Sequence, residues 1–321
     1  MMDIKQEKDR GDNVPLIEAN DLSKWYGEVI GLNSFNVEIS SGITGIVGPN
    51  GAGKSTFFKI AIGLIKPNSG ALKVMGEDPW LNLKLAARVG FCPDYDNLSN
   101  DSTGERFLKL IGGLHGMSGN SLTKRVEEVT EIVGLENEIH RNIGGYSMGM
   151  RQKIKLAGSI LPNSDLLFLD EPLSGTDPKS RKSLIEVIKS LYEEQGHDVV
   201  VSSHVLPEIE KMTSRVVLIY KGRRIASGEI SEIRELIDKY PHQIIIEGSE
   251  MSELAKGLLD IESTISVGFE DDRNRIKVEV SNLDDFFGAL PEVVVNKNIE
   301  IESMYSVDEG LEAVFKYLVE E

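Results

Sequence analysis

The sequence predicts an α/β fold with a central, mostly parallel sheet, followed by a smaller α+β domain. Three observations predict it. The apolar, β-branched or leucine-rich segments "ITGIVG", "LLFLDEP" and "VVVSSH" each run into a glycine, an acid or a histidine, as buried parallel strands do where they meet a ligand site. Stretches with helical spacing of apolar residues separate these segments. Beyond Pro241 the pattern changes to strands and helices in the order βαββαβ, which suggests a ferredoxin-like domain.

Bulk properties agree with a globular chain. At 321 residues it is long enough for two domains, and its 40% apolar and 27% charged content is ordinary. The longest run without a charge is the 15 residues from Ile39 to Gly53, short of the ~20 a membrane helix needs. Residues 1–14 read as a disordered, solvated tail without the apolar core of a secretory signal. The single cysteine, Cys92, allows no internal disulfide and reads as a buried small hydrophobe. The net charge of −17 is concentrated in residues 241–321, which hold 19 acids against 6 bases. Such a segment repels nucleic acid, so none is expected as a partner.

Taken in chain order, the first strongly patterned element is "GPNGAGKST", Gly48 to Thr56, between the strand "ITGIVG" and the helix "TFFKIAIGLI". Gly48, Gly53, Lys54 and Ser55 meet the spacing of a phosphate-binding loop. Glycines let backbone N–H groups wrap a phosphate, and the helix N-terminus adds donors and a positive dipole end. Lys54 supplies a mobile cation for β- and γ-phosphates, and Ser55 a hydroxyl for Mg²⁺. "TGERFLKLIGGLHG" and "SLTKRVEEVTEIVGLENEI" read as helices. In "LLFLDEP", Asp170 closes a buried strand and suits coordination of Mg²⁺, while Glu171 can polarise an attacking water. "KSRKSLIEVIKSLYEEQG" reads as a helix leading to "VVVSSH", where His204 can reach a γ-phosphate. "RVVLIYKGRRIASGEI" reads as a hairpin turning at Lys221-Gly222. After it come strand 243–247, helix 250–260, strands near 261–269 and 273–280, helix 282–290, a strand near 292–304 and a helix 308–320.

With these motifs in this order, residues 15–235 resemble the ATP-binding subunit of an ABC transporter, an α/β P-loop NTPase. "SKWYGEVIGLNSFNVEIS" looks like the aromatic A-loop, with Tyr26 placed to stack on adenine. "GPNGAGKST" matches Walker A, which carries Gly48, Asn50, Gly51, Gly53, Lys54, Ser55 and Thr56 over as nucleotide-binding residues. "VGFCPDYDNLS" occupies the place of the Q-loop, "YSMGMRQK" that of the signature, "LLFLDEP" that of Walker B, "LSGTDP" with Asp177 that of the D-loop, and "SSH" that of the H-loop. The resemblance implies a nucleotide-binding domain over 15–238, with an antiparallel β-subdomain and a helical subdomain at about 99–160, and an acidic accessory domain over 241–321.

The resemblance also implies a mechanism. Two such domains dock head to tail and trap two ATP molecules, each held by Walker A of one chain and the signature of the other. Ser147 and Gly149 serve the partner's ATP, on a helix beginning near Arg151. Glu171 acts as general base and His204 holds the γ-phosphate. The implied partners are a second copy or a related subunit and a separate multi-span membrane subunit. The implied place is the inner face of the cell membrane, on the cytoplasmic side. Two departures stand out. Asp94 replaces the usual glutamine as catalytic and Mg²⁺-binding residue, and Met148 and Met150 replace a glycine and an amide in the signature. The signature variant and the accessory domain point to an exporter. A soluble ABC ATPase uncoupled from transport, or a slow-turnover ATP-dependent clamp, remain alternatives.

Overall fold

A computed structural model describes residues 15–96, 98–237, 241–270 and 274–306. Contacts divide the chain after Ser227, and each unit is described by itself.

The first unit opens with strands β1 (Ile17–Tyr26) and β2 (Val29–Ile39), turning through Gly27 at φ +62°. Then come β3 (Ile43–Val47), helix α1 (Lys54–Ala61), β4 (Ser69–Val74), α2 (Leu83–Ala86) and β5 (Val89–Cys92). β1 lies between β2 and β4 in a three-stranded antiparallel sheet. The helical segment follows as α3 (Gly104–Leu114), α4 (Gly119–Val133) and α5 (Met148–Ile160), which pack on one another. Thr103 caps α3 by accepting from the Arg106 N–H, and Gly134 ends α4 in the left-handed conformation. The unit continues with β6 (Leu166–Leu169), α6 (Pro178–Glu193), β7 (Asp198–Ser203), α7 (Leu206–Glu210), β8 (Arg215–Tyr220) and β9 (Arg223–Glu229), whose last residues cross the division.

The large sheet runs β5-β6-β7-β3-β8-β9. Its first five strands are mutually parallel, so the residues following β5, β6, β7 and β3 emerge on the same sheet edge. Every residue of β3, β6 and β7 is buried, as expected of strands covered on both faces. Phe57 and Phe58 of α1 join the sheets, with rings 5.2 Å from Phe35 and 5.2 Å from Phe168 respectively. The expected β8–β9 turn has positive φ at both Lys221 (+47°) and Gly222 (+77°), the geometry of a tight hairpin.

The second unit begins with α8 (Ile230–Ile237), a helix absent from the sequence reading. It continues as β10 (His242–Gly248), α9 (Met251–Leu258), β11 (Thr264–Phe269), β12 (Arg275–Val280), α10 (Leu283–Asn296) and β13 (Ile301–Ser306). The sheet order β11-β12-β10-β13, with every pairing antiparallel, is ferredoxin-like. One expectation is corrected. The strand read near 292–304 is helical up to Asn296, because Phe286, Leu290, Val293 and Val294 keep helical spacing against the core through Pro291. The helix expected at 308–320 lies outside the described residues. Among the described residues no helix is long and apolar enough to cross a membrane.

Candidate functional site

The loop after β3 is shaped by close approaches that only glycine permits. A Cβ at Gly48 would lie 2.2 Å from the Ile219 carbonyl. Gly53, at φ +114°, would put one 2.5 Å from the Gly31 carbonyl. The Gly48 N–H donates to the Ser203 carbonyl at 3.2 Å, tying the loop to the end of β7. Lys54 is buried, and its ammonium curls back into the loop, donating to the carbonyls of Gly48 (2.6 Å) and Pro49 (3.2 Å). Asn50 and Gly51 are exposed, and Ser55 and Thr56 are half-buried at the start of α1. Tyr26 and Thr56 flank Gly31, where an added Cβ would meet both at 3.0 Å. The tyrosine therefore stands beside the loop helix, 46% exposed.

The acids after β6 face this loop. Ser202 Oγ donates to Asp170 Oδ1 at 2.7 Å and accepts from the Glu171 N–H at 2.9 Å. Burial pushes the Asp170 carboxyl above its ordinary pKa; hydroxyls of Ser202 and Ser55 oppose this, and the charges of Asp94 and Glu171 add to it. Glu171 adopts φ +48°, a strained turn for a non-glycine residue at the strand end. Its Oε1 lies 3.1 Å from Lys54 Nζ without an aligned hydrogen bond, and its Oε2 lies 2.9 Å from His204 Nδ1. Lys54, Glu171 and His204 thus form a continuous chain across three parallel strand ends. Asp94 follows β5 on the same edge, exposed, with its carbonyl accepting from Lys155 Nζ at 3.1 Å.

A second cluster gathers Ser147, Gly149 and Asp177. Ser147 is the N-cap of α5, its hydroxyl accepting from the Met150 N–H. The helix therefore starts at Met148 rather than near Arg151, because the cap outweighs the loop-like reading of Met-Gly-Met. Gly149 is buried against α6, where an added Cβ would lie 2.4 Å from Ser180 Oγ and 2.5 Å from Ser180 Cβ. The close approach it permits in this chain is to α6. Asp177 caps α6 by accepting from the N–H groups of Lys179 and Ser180 and from Ser180 Oγ, which hold its carboxyl below the ordinary range.

Several contacts of this region carry no motif signal. Arg151 pairs with the Asp96 carboxylate and donates to Asn100 Oδ1 (3.1 Å) and the Ile143 carbonyl (2.9 Å). Lys155, one turn on, also donates to the Pro93 carbonyl at 2.8 Å. Together they clamp the Asp94 segment to α5. Their i, i+4 spacing places both on one helix face, but nothing in the sequence names their acceptors. The Cys92 thiol is fully buried and pushed up to about 12, chiefly by that burial.

A glycine loop cradling an ammonium, with acids at the end of the parallel strand next but one, is the build of a P-loop nucleoside triphosphatase. Comparison with known proteins narrows the class. The ABC transporter family model matches residues 32–174. The chain is 29% identical to the bacitracin transport ATP-binding protein BcrA of Bacillus licheniformis, over 95% of its own length and 97% of that protein. It is 32% identical to the Nod factor export ATP-binding protein I of Cupriavidus metallidurans, over 68% of its own length and 72% of that protein. Among solved structures it is similar to the dimeric bacterial ABC transporter cassette MJ0796, at 25% identity and a TM-score of 0.60, covering 67% of this chain and 98% of that one. The chain belongs to the ABC transporter family, as one of its ATP-binding, ATP-hydrolysing subunits.

Proposed function

We propose that this subunit powers an exporter, closing head to tail on two ATP molecules with a second copy or a related subunit. The observation that carries the reading is the bridge from Lys54 through Glu171 to His204. Lys54 Nζ donates to the loop carbonyls and stands 3.1 Å from Glu171 Oε1, while Oε2 meets His204 Nδ1 at 2.9 Å. Entry of ATP draws Lys54 onto the phosphates and frees Glu171 Oε1 to take a proton from water. His204, already oriented by Oε2, steadies the γ-phosphate and the water. Tyr26 stacks on the adenine. Gly48, Asn50, Gly51, Gly53, Ser55 and Thr56 surround the phosphates, while Ser147, Gly149 and Asp177 serve the site of the opposing subunit.

The residues present fit Mg²⁺. Asp170 is a buried carboxylate whose described neighbours are hydroxyls and other acids, a donor set suited to a hard divalent cation. Ser55 and Asp170, with Asp94 alongside, would hold it, and its charge would neutralise phosphate oxygens. The groove of about 360 Å³ between β5, α3 and α5, lined by Phe91, Tyr95, Phe107 and Ile111, receives a short helix of a separate multi-span membrane subunit. The subunit then sits peripherally on the inner face of the cell membrane, on the cytoplasmic side. The ferredoxin-like unit supports the dimer or regulates its closure.

Removing the base tests the reading. Glu171→Gln lowers turnover of Mg-ATP by about 100-fold or more, and wild-type turnover in that variant rules the assignment out. Coupling to a membrane transporter is tested by recovering the native protein from membranes in mild detergent. A co-purifying multi-span protein supports it, and recovery alone or with ribosomes counts against it.

A further inference from the structure

The carboxylate of Glu208, on the five-residue helix α7, has no part in the chemistry above, yet the residue is 7% exposed. A buried carboxylate is costly unless its oxygens are engaged. Both are. Oε2 accepts from Ser203 Oγ at 3.1 Å, and Oε1 pairs with the Arg181 guanidinium, 3.2 Å from Nε without an aligned hydrogen bond. Arg181 Nη2 in turn donates to the Thr176 carbonyl at 3.1 Å, directly before the α6 cap Asp177.

The other end of this network brackets His204. Ser203 Oγ accepts from the Val205 N–H at 3.0 Å, and the Ser203 carbonyl accepts from the Gly48 N–H. The turn 203–205 is thereby tied to the phosphate loop on one side and to Glu208 on the other. The imidazole itself is 46% exposed, and its Nδ1 lies 2.9 Å from Glu171 Oε2. With nearly half its surface open, its place depends on the backbone turn that carries it as well as on that contact.

We propose that Glu208 and Arg181 are positioning residues for ATP hydrolysis, fixing the 203–205 turn through Ser203 Oγ and so holding His204 against Glu171. The inference rests on the reading of His204 given above.

The test uses the full chain and Mg-ATP. Glu208→Ala lowers kcat by about ten-fold or more with KM within about two-fold, because placement of a reacting group is lost while phosphate binding is kept. Glu208→Gln, which retains an oxygen for Ser203, recovers part of the loss. Amide exchange accelerates at residues 203–206. In a His204→Gln background the added Glu208→Ala costs less than about two-fold, since both changes act on one group. Arg181→Met, at a half-exposed position, moves kcat in the same direction and serves if Glu208→Ala fails to fold. Full turnover in Glu208→Ala, a loss carried by KM, or an undiminished loss in the His204→Gln background overturns the proposal. If His204→Gln itself keeps full turnover, the reading of His204 falls and takes this inference with it. If His204→Gln is impaired while Glu208→Ala is not, only the positioning role falls.

Discussion

Gly149→Ala adds one methyl at the junction of α5 and α6. The new carbon would stand 2.5 Å from Ser180 Cβ, against an ordinary contact of 3.4 Å or more. The serine hydroxyl can rotate away, but its Cβ cannot, so the first turns of the two helices must part by about 1 Å. Overpacking of this kind costs roughly 1–3 kcal/mol, and replacing a helical glycine with alanine returns about 1 kcal/mol. The net effect on stability is about 0–2 kcal/mol, a melting shift of a few degrees in a domain of this size. The effect on turnover is larger, because Ser147 and the α5 N-terminus move with the junction, and a 1 Å misplacement can cost about 100-fold. Steady-state ATPase rates and thermal melts of the variant, of Ser180→Gly and of the double variant separate the two effects. The double variant relieves the contact and recovers at least about ten-fold of the lost rate. Full activity in Gly149→Ala, or no recovery in the double variant, refutes the reasoning.

Two further outcomes follow from the core. Phe168→Ala empties a fully buried position under the Phe58 ring; it costs roughly 3–5 kcal/mol and lowers the melting temperature of the first unit by about 10 °C. Cys92 does not react with a thiol reagent at pH 8 until the protein unfolds, since its pKa is raised from 9.0 to about 12. The stabilisation from its protonated form is fully present below pH 9. It is lost as pH rises towards 12, because the unfolded chain releases the proton first. Cys92→Ala therefore flattens the alkaline fall in urea midpoint measured between pH 9 and 10.5, and an unchanged fall contradicts the assignment.

What could be read in the sequence was what short segments encode alone. The β-branched run before Gly48, the leucines before Asp170 and the valines before His204 each announce a buried strand and its terminal residue, and parallel pairing then assembles the edge. The Lys221-Gly222 turn was equally local. Misreadings arose where tertiary packing overrode composition. Val293 to Val295 suit a strand, yet they continue α10 because helical spacing buries their neighbours Phe286 and Leu290. Arg151 with Asp96, and Arg181 with Glu208, stayed invisible because each pair joins segments far apart in the chain. No spacing rule links an arginine on one helix to a carboxylate on a distant loop or helix.

One of the signature's departures, Met148, has a physical cause at the same junction. The side chain of Met148 lies over Gly175, where an added Cβ would meet Met148 Cγ at 3.3 Å. Gly175 also needs its positive φ of +71°. The residue at 148 thus faces a glycine and has room for a long, adaptable side chain. The residue at 149 faces Ser180 and has room for none. That asymmetry explains why a methionine can stand at one position of this motif while the next keeps its glycine. It also ties the α5 N-terminus to the loop before Asp177, so that Ser147 and Asp177 belong to one packed unit rather than to two independent loops.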